Sequence, residues 1–329
     1  MTAPATRRMA LTAMASLVAV TLAACAGPAQ TAEEPPSQSS VPAPAPTTGP
    51  TTPSPTTPAS TAAPSAAESS GSVEELKPVS GDGMAEHVHN LAYDGSTLLI
   101  GTHQGLWAQE PGQEPVQISR DPFDVMGFTR GDGRWLASGH PGPGMDAPAD
   151  LGLLQSTDQG RTWDEVSLGG EVDFHRLVTS GPVVVGVNAH DGRVLRSDDS
   201  GATWAALGAP GIYDLAMNPD DPSILVGTTP DGPVRSIDGG SAFEPVADAP
   251  LLALLAWTGS TLYGIDVDGS VFASTDDGAT WERRGAVSKQ PAALAADGDR
   301  IAALVGNRIV ESSDGGADFS PRIVDIPGH

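Results

Sequence analysis

The chain of 329 residues contains one cysteine, Cys25, so no disulfide can form within it. Basic residues are scarce as well: 17 Lys and Arg stand against 41 Asp and Glu, a formal net charge of -24. A surface of this sign repels phosphate backbones and anionic headgroups, which excludes nucleic acid as a partner and gives cations a favourable field. There is no Gly-X-Ser-X-Gly elbow, Walker loop, His-Glu-X-X-His pair or paired cysteine, so the hydrolase and nucleotide-binding readings that those motifs carry have no support. Long apolar runs are absent too. The longest, Met9 to Val20, is too short to cross a bilayer comfortably.

What is present begins with that run. Arg7 and Arg8 precede it and Leu22-Ala23-Ala24-Cys25 follows it, the layout of an export signal. Leu-Ala-Ala-Cys resembles the lipobox of bacterial lipoproteins, which implies a signal peptide over 1–24, a diacylated Cys25 and an extracytoplasmic protein held to the cell membrane by that lipid. An ordinary cleaved signal with an incidental cysteine is the alternative. From Ala26 to about Gly71 the chain is almost wholly Pro, Thr, Ala and Ser, with too little apolar surface to offset ordering entropy. Residues 25–73 therefore read as a lipidated cysteine and a disordered tether; its ~45 spacer residues at ~3.1 Å each reach up to ~140 Å. The folded domain is expected over 74–329.

Within that domain an eight-residue pattern recurs. Ser156-Thr157-Asp158-Gln159-Gly160-Arg161-Thr162-Trp163 returns as Ser197 to Trp204 and as Ser274 to Trp281, with weaker copies at Ser236 to Phe243 and Ser312 to Phe319. The starts are separated by 41, 39, 38 and 38 residues, and each interval holds short apolar strands between glycine turns. Four strands per ~40 residues is one propeller blade. The glycine permits positive φ, Ser and Asp cap turn amides, and the aromatic anchors the hairpin, so these aspartates read as turn residues and not as catalysts or calcium ligands. Inner strands beginning near His87, Asp124, Asp173, Ile212, Leu254 and Ala292 give an all-β, six-bladed β-propeller. Blade one lacks the pattern, and Val73 to Val79 is expected to pair with the last blade and close the ring.

The repeat resembles the Asp-box, or BNR, repeat of sialidases, sortilin-type receptors and photosystem assembly factors. Within that group His87-Val88-His89, Thr102-His103-Gln104-Gly105, Met126-Gly127-Phe128, Ser138-Gly139-His140-Pro141 and Asp173-Phe174-His175 are similar to actinobacterial lipoproteins often labelled glycosyl hydrolase or exo-sialidase-like. Resemblance of fold does not carry function. Sialidases use an arginine cluster and a tyrosine nucleophile, whereas this chain has only Tyr93, Tyr213 and Tyr263 and no Arg-Ile-Pro element before the repeats.

Six of the seven histidines, His87, His89, His103, His140, His175 and His190, fall in blades one to three. Strand direction in an up-and-down blade puts first-strand starts and second-to-third-strand turns on one face, so all six are expected to share it. Aligning inner strands places His87, Asp124 and Asp173 at one equivalent position and His89, Met126, His175 and Asp214 at the next inward one. His87 and His89, two apart on a strand, can converge on one ligand. With His175 they form the expected metal set, for zinc or, given Met126, copper. The insertion Gly142 to Gly152, with Met145, Asp146 and Asp150, is expected as a lid on the same face. Polar plugging of the channel and proton-transfer catalysis stay open as alternatives. The leading functional expectation is a membrane-anchored, monomeric propeller that binds a metal or small ligand at this mouth. Two others stand beside it: a glycoside hydrolase of extracellular or wall glycans with Asp124 and Asp173 as its carboxyl pair, and a scaffold for envelope proteins.

Overall fold

A computed structural model describes residues 87–131, 133–209, 211–288 and 290–326. The expected signal and tether with Cys25, the strand expected over 73–79, and His329 lie outside the described residues. Among the described residues there is no helix; the strands form six antiparallel sheets, each built from four consecutive strands. The innermost strands are Val88–Asp94, Asp124–Gly131, Phe174–Ser180, Asp214–Met217, Leu252–Thr258 and Pro291–Asp297. Each packs beside the next and the last returns to the first, so the ring is a six-bladed β-propeller.

In blade three burial peaks at the second strand, above the innermost and outermost ones, for a simple reason. The second strand of each blade is covered on both faces by its neighbours, and so reads as an unbroken apolar run: Val183–Asn188 is buried at every position. The outermost strands, such as Ala205–Ala206 and Glu244–Pro245, are exposed. The core accordingly lies between blades. Val183, Val185 and Val187 of blade three meet Ile212, Leu215 and Leu225 of blade four, each such side chain contributing about 1.5–3 kcal/mol by leaving water.

The repeated octapeptide is the outer turn of five blades, and it serves this packing. In blade three the Gly201 amide donates to Ser197 Oγ at 2.8 Å, while the Thr203 amide and hydroxyl donate to Asp199 at 2.8 and 2.6 Å. The Thr203 hydroxyl and amide and the Ser197 hydroxyl hold the Asp199 carboxyl below the usual carboxylate range, at about 2. Gly201 has φ 92°, and a Cβ there would collide with Leu153 of the preceding blade. The glycine thus lets each turn press on the blade before it.

Blade one has no such turn, and blade six reaches it by other means. Val88, Leu91, Leu98 and Trp107 of blade one pack on Ala293, Ala302, Leu304 and Ile309 of blade six. Across the rim of this seam Arg322, 5% exposed, pairs with Glu311 and donates to Gln109 Oε1 at 2.7 Å and to Ser96 O at 2.9 Å. Tyr93 donates to Glu311 at 2.6 Å, and burial together with that bond pushes its phenol pKa upward. No strand is shared between the first and last blades among the described residues; side chains close the ring.

Arg322→Ala is expected to destabilise the domain by roughly 3 kcal/mol, the scale for breaking a buried ion pair from one side. Arg283→Ala, at an exposed position, should stay within ~0.5 kcal/mol of the parent. Denaturant titration reads both, and equal effects would show that the seam does not depend on Arg322.

Candidate metal centre

The mouth of the axis is shaped by a backbone irregularity that recurs from blade to blade. In blade one Val88 pairs with Thr102 and Asn90 with Gly101, which leaves His89 as an extra residue. The same two-against-one register isolates Met126 in blade two, His175 in blade three, Ala253 in blade five and Ala292 in blade six. Such bulges re-aim a side chain out of the regular pleat. In blade four the ladder begins at Asp214 opposite Thr228, preceded by a bond from the Tyr213 amide to Thr228 O. Ile212 packs on Gly227 as Phe174 packs on Gly186, so Tyr213, and not Asp214, is the equivalent of His89, Met126 and His175. The alignment expected from sequence is therefore one residue out in this blade.

Asp214 has a different position in consequence. It is buried, takes the Arg176 guanidinium at 2.9 Å and accepts the Leu255 amide at 2.7 Å, tying blades three, four and five together. Burial pushes its carboxyl pKa up, opposed chiefly by Arg176. Tyr213 is 63% exposed, with the Arg176 guanidinium 5.5 Å from its ring centre.

The histidines of blades one to three gather into two triads that differ from the expected set of His87, His89 and His175. The first is His89, His103 and Asp124, the second His140, Asp173 and His175, and in each the potential ligand atoms lie within 4.8 Å of one another. His103 Nδ1 donates to Asp124 Oδ2 at 2.7 Å, and His89 Nε2 stands 3.6 Å from Asp124 Oδ1. His87, at a strained φ of 46°, belongs to the same group through an edge contact with His103 at 5.2 Å between ring centres. In the second triad His175 Nε2 donates to Asp173 Oδ2 at 2.7 Å and His140 Nε2 lies 3.5 Å from the same oxygen. His190 donates from Nε2 to Asp150 Oδ2 at 2.9 Å, and that bond raises its pKa. Asp150 Oδ1 also faces His140 Nδ1 at 3.6 Å, so the insertion touches the second triad.

Polar atoms of these groups are buried and lack protein partners. His140 Nδ1 lies 2.9 Å from Ala149 O, which can only accept, so Nδ1 carries a proton, and Nε2 is the ring nitrogen that faces the Asp173 carboxylate at 3.5 Å. His89 Nε2, Asp124 Oδ1 and Asp173 Oδ1 are buried without a hydrogen-bond partner among the protein atoms. Burial, followed by the neighbouring imidazoles of His103, His175 and His87, lowers the His89 pKa to about 4 against the pull of Asp124, so the ring is neutral and able to ligate near neutrality. Ligand atoms around a tetrahedral zinc, at ~2.0–2.1 Å from the ion, stand ~3.3 Å apart, close to the 3.5 and 3.6 Å separations here. His/Asp sets of this kind suit zinc or copper. The Nδ1 bond of His140 to a backbone carbonyl is the usual outer support of a metal-bound imidazole.

Below the mouth lies a channel of about 340 Å³ lined by His89, Arg130, Arg176, Trp257 and Asp297 among others. The pairing of His140 with Ala149, the staple from Arg176 to Asp214 and the bulges themselves had no counterpart in the sequence reading. A regular period of two cannot show which strand position carries an extra residue.

Comparison with known proteins supports the fold alone. No protein-family model matches the chain, and no curated protein does. Among solved structures the chain is similar to YCF48 bound to D1 peptide, at 19% identity and TM-score 0.47, covering 74% of this chain and 82% of that one. It is also similar to a GH74 xyloglucanase from Xanthomonas campestris, at 18% identity and TM-score 0.50, covering 72% of this chain but only 45% of the xyloglucanase chain. A third likeness, to a chain of the nidogen/laminin complex, has 12% identity and TM-score 0.50 and covers 66% of this chain and 89% of that one.

Proposed function

We propose that the protein is an extracytoplasmic lipoprotein of the Asp-box type, anchored to the cell membrane through Cys25, whose propeller binds a divalent transition-metal ion at the His/Asp mouth. The observation that carries this reading is that His89 Nε2, Asp124 Oδ1 and Asp173 Oδ1, all members of the two His/Asp triads, are buried without a hydrogen-bond partner among the protein atoms. A bound cation gives such atoms a partner. The excess of carboxylates over basic groups adds a favourable long-range field. Residues 7–25 carry the anchoring part of the proposal.

A glycan-hydrolase reading with Asp124 and Asp173 is less well supported. Each carboxylate accepts a 2.7 Å bond from an imidazole, whereas one member of such a pair must donate a proton to the leaving group.

The full chain, dialysed against micromolar zinc and then against buffer, is expected to retain the ion and to melt at a higher temperature with metal than without. Replacing His103 and His140 together by Ala should abolish both effects. Elemental analysis and calorimetry decide: a parent chain with no retained metal and no shift in melting removes the proposal.

The His89 imidazole also fixes a pH dependence. Its pKa is about 4 in the folded protein and near the ordinary 6.5 when unfolded, so between these values the unfolded chain binds more protons. The stability it contributes is fully present above about pH 6.5 and is lost as the pH falls toward 4. Chemical denaturation at pH 7.5 and 4.5 should show a larger drop for the parent than for His89→Gln, and equal drops would contradict the assignment.

A further inference from the structure

Three consecutive blades present a soft thioether between two imidazoles at one backbone position. His89, Met126 and His175 are the bulge residues of blades one, two and three, and nothing in the two triads uses Met126. The surrounding strands hold that position from both sides. Asn90, the residue after His89, donates from Nδ2 to Met126 O at 2.8 Å and to Val125 O at 3.3 Å, which staples the bulge of blade two to blade one. On the other side Gly127, next to Met126, lies so near blade three that a Cβ there would collide with the Phe174 carbonyl oxygen, one residue before His175. The Met126 backbone is thus fixed between those of its two histidine counterparts.

The imidazoles are prepared for a ligand on this side. His175 donates from Nε2 to Asp173, so Nδ1 is the nitrogen of that ring left with a lone pair, and a carboxylate behind an imidazole raises the basicity of the opposite nitrogen. His89 Nε2, 3.6 Å from Asp124 Oδ1, is buried without a hydrogen-bond partner among the protein atoms and is the unsatisfied nitrogen of its ring. At the equivalent positions of blades four, five and six stand Tyr213, Ala253 and Ala292, so the imidazole and thioether groups are confined to blades one to three.

We propose that the rim carries a copper(I) site formed by Met126 with His89 and His175. Thioether and imidazole together suit the soft monovalent ion, whereas the triads, with a carboxylate each, suit a harder divalent one. The proposal rests on the metal-binding reading above and narrows it to one ion and one set of donors. Because the two histidines serve both sites, copper(I) and a divalent ion compete at this mouth.

The test uses the full chain carrying Cys25→Ser, so that no thiol takes the copper. Copper(I), kept reduced with ascorbate, is titrated in competition with bicinchoninate, and zinc binding is measured separately by calorimetry. The parent is expected to withdraw one copper(I) per chain. Met126→Leu, a nearly volume-conserving change, should weaken copper(I) binding by at least ~tenfold, since even outer-shell partners of a metal are worth that much. It should leave zinc binding unchanged, and Met145→Leu, on the insertion, should alter neither. X-ray absorption of the copper(I)-loaded parent should show a sulfur scatterer, a readout that does not depend on any variant folding. Zinc binding without copper(I) uptake, equal copper(I) affinity in parent and Met126→Leu, or loaded copper with no sulfur neighbour would each overturn the rim site and leave the divalent site standing. A parent that binds neither ion overturns both.

Discussion

A four-stranded sheet with apolar residues on both faces is stable only between two others, and this requirement travels from blade to blade until the sixth meets the first. Everything in the molecule follows from meeting it. The second strands are buried on both sides, the outermost strands are wet, and the octapeptide turns use a glycine of positive φ to lie flat on the blade before. The one interface without such a turn is sealed by Arg322, whose guanidinium reaches Gln109, Ser96 and Glu311 over an apolar seam. An ion pair placed there is specific in a way that apolar packing is not, because only one register lets Arg322 satisfy its partners.

The same geometry concentrates chemistry at one end of the axis. Inner strands converge there, and a bulge at the second position turns one residue of each blade out of the pleat. Where those residues are histidines, burial keeps His89 neutral and the aspartates behind the rings fix their orientation. Asp124 and Asp173 each accept a hydrogen bond from an imidazole there.

The chain's weak likeness to proteins as different as a xyloglucanase and a laminin-complex component fits this division of labour. The blade is a solution to packing, and a shared fold does not carry function. Ala253 and Ala292 at the bulges of blades five and six illustrate the point: the bulge persists where no functional side chain occupies it.

Much of this was legible from the residues. A nearly constant step between octapeptides identifies the blade as the repeating unit, the inner-strand starts give six of them, and strand direction sends His87, His103, His140 and His175 to one face. Grouping the histidines was beyond it. Which imidazole meets which carboxylate depends, for His103 with Asp124 and His190 with Asp150, on contacts between residues 21 and 40 positions apart, and on bulges that displace the register by one. That displacement is why Tyr213 and not Asp214 occupies the rim in blade four, and why His140, absent from the expected metal set, joins His175. Sequence set the face on which the groups lie, since that follows from chain direction; tertiary structure decided their partners, since a hydrogen bond between blades depends on where two separately folded strands come to rest.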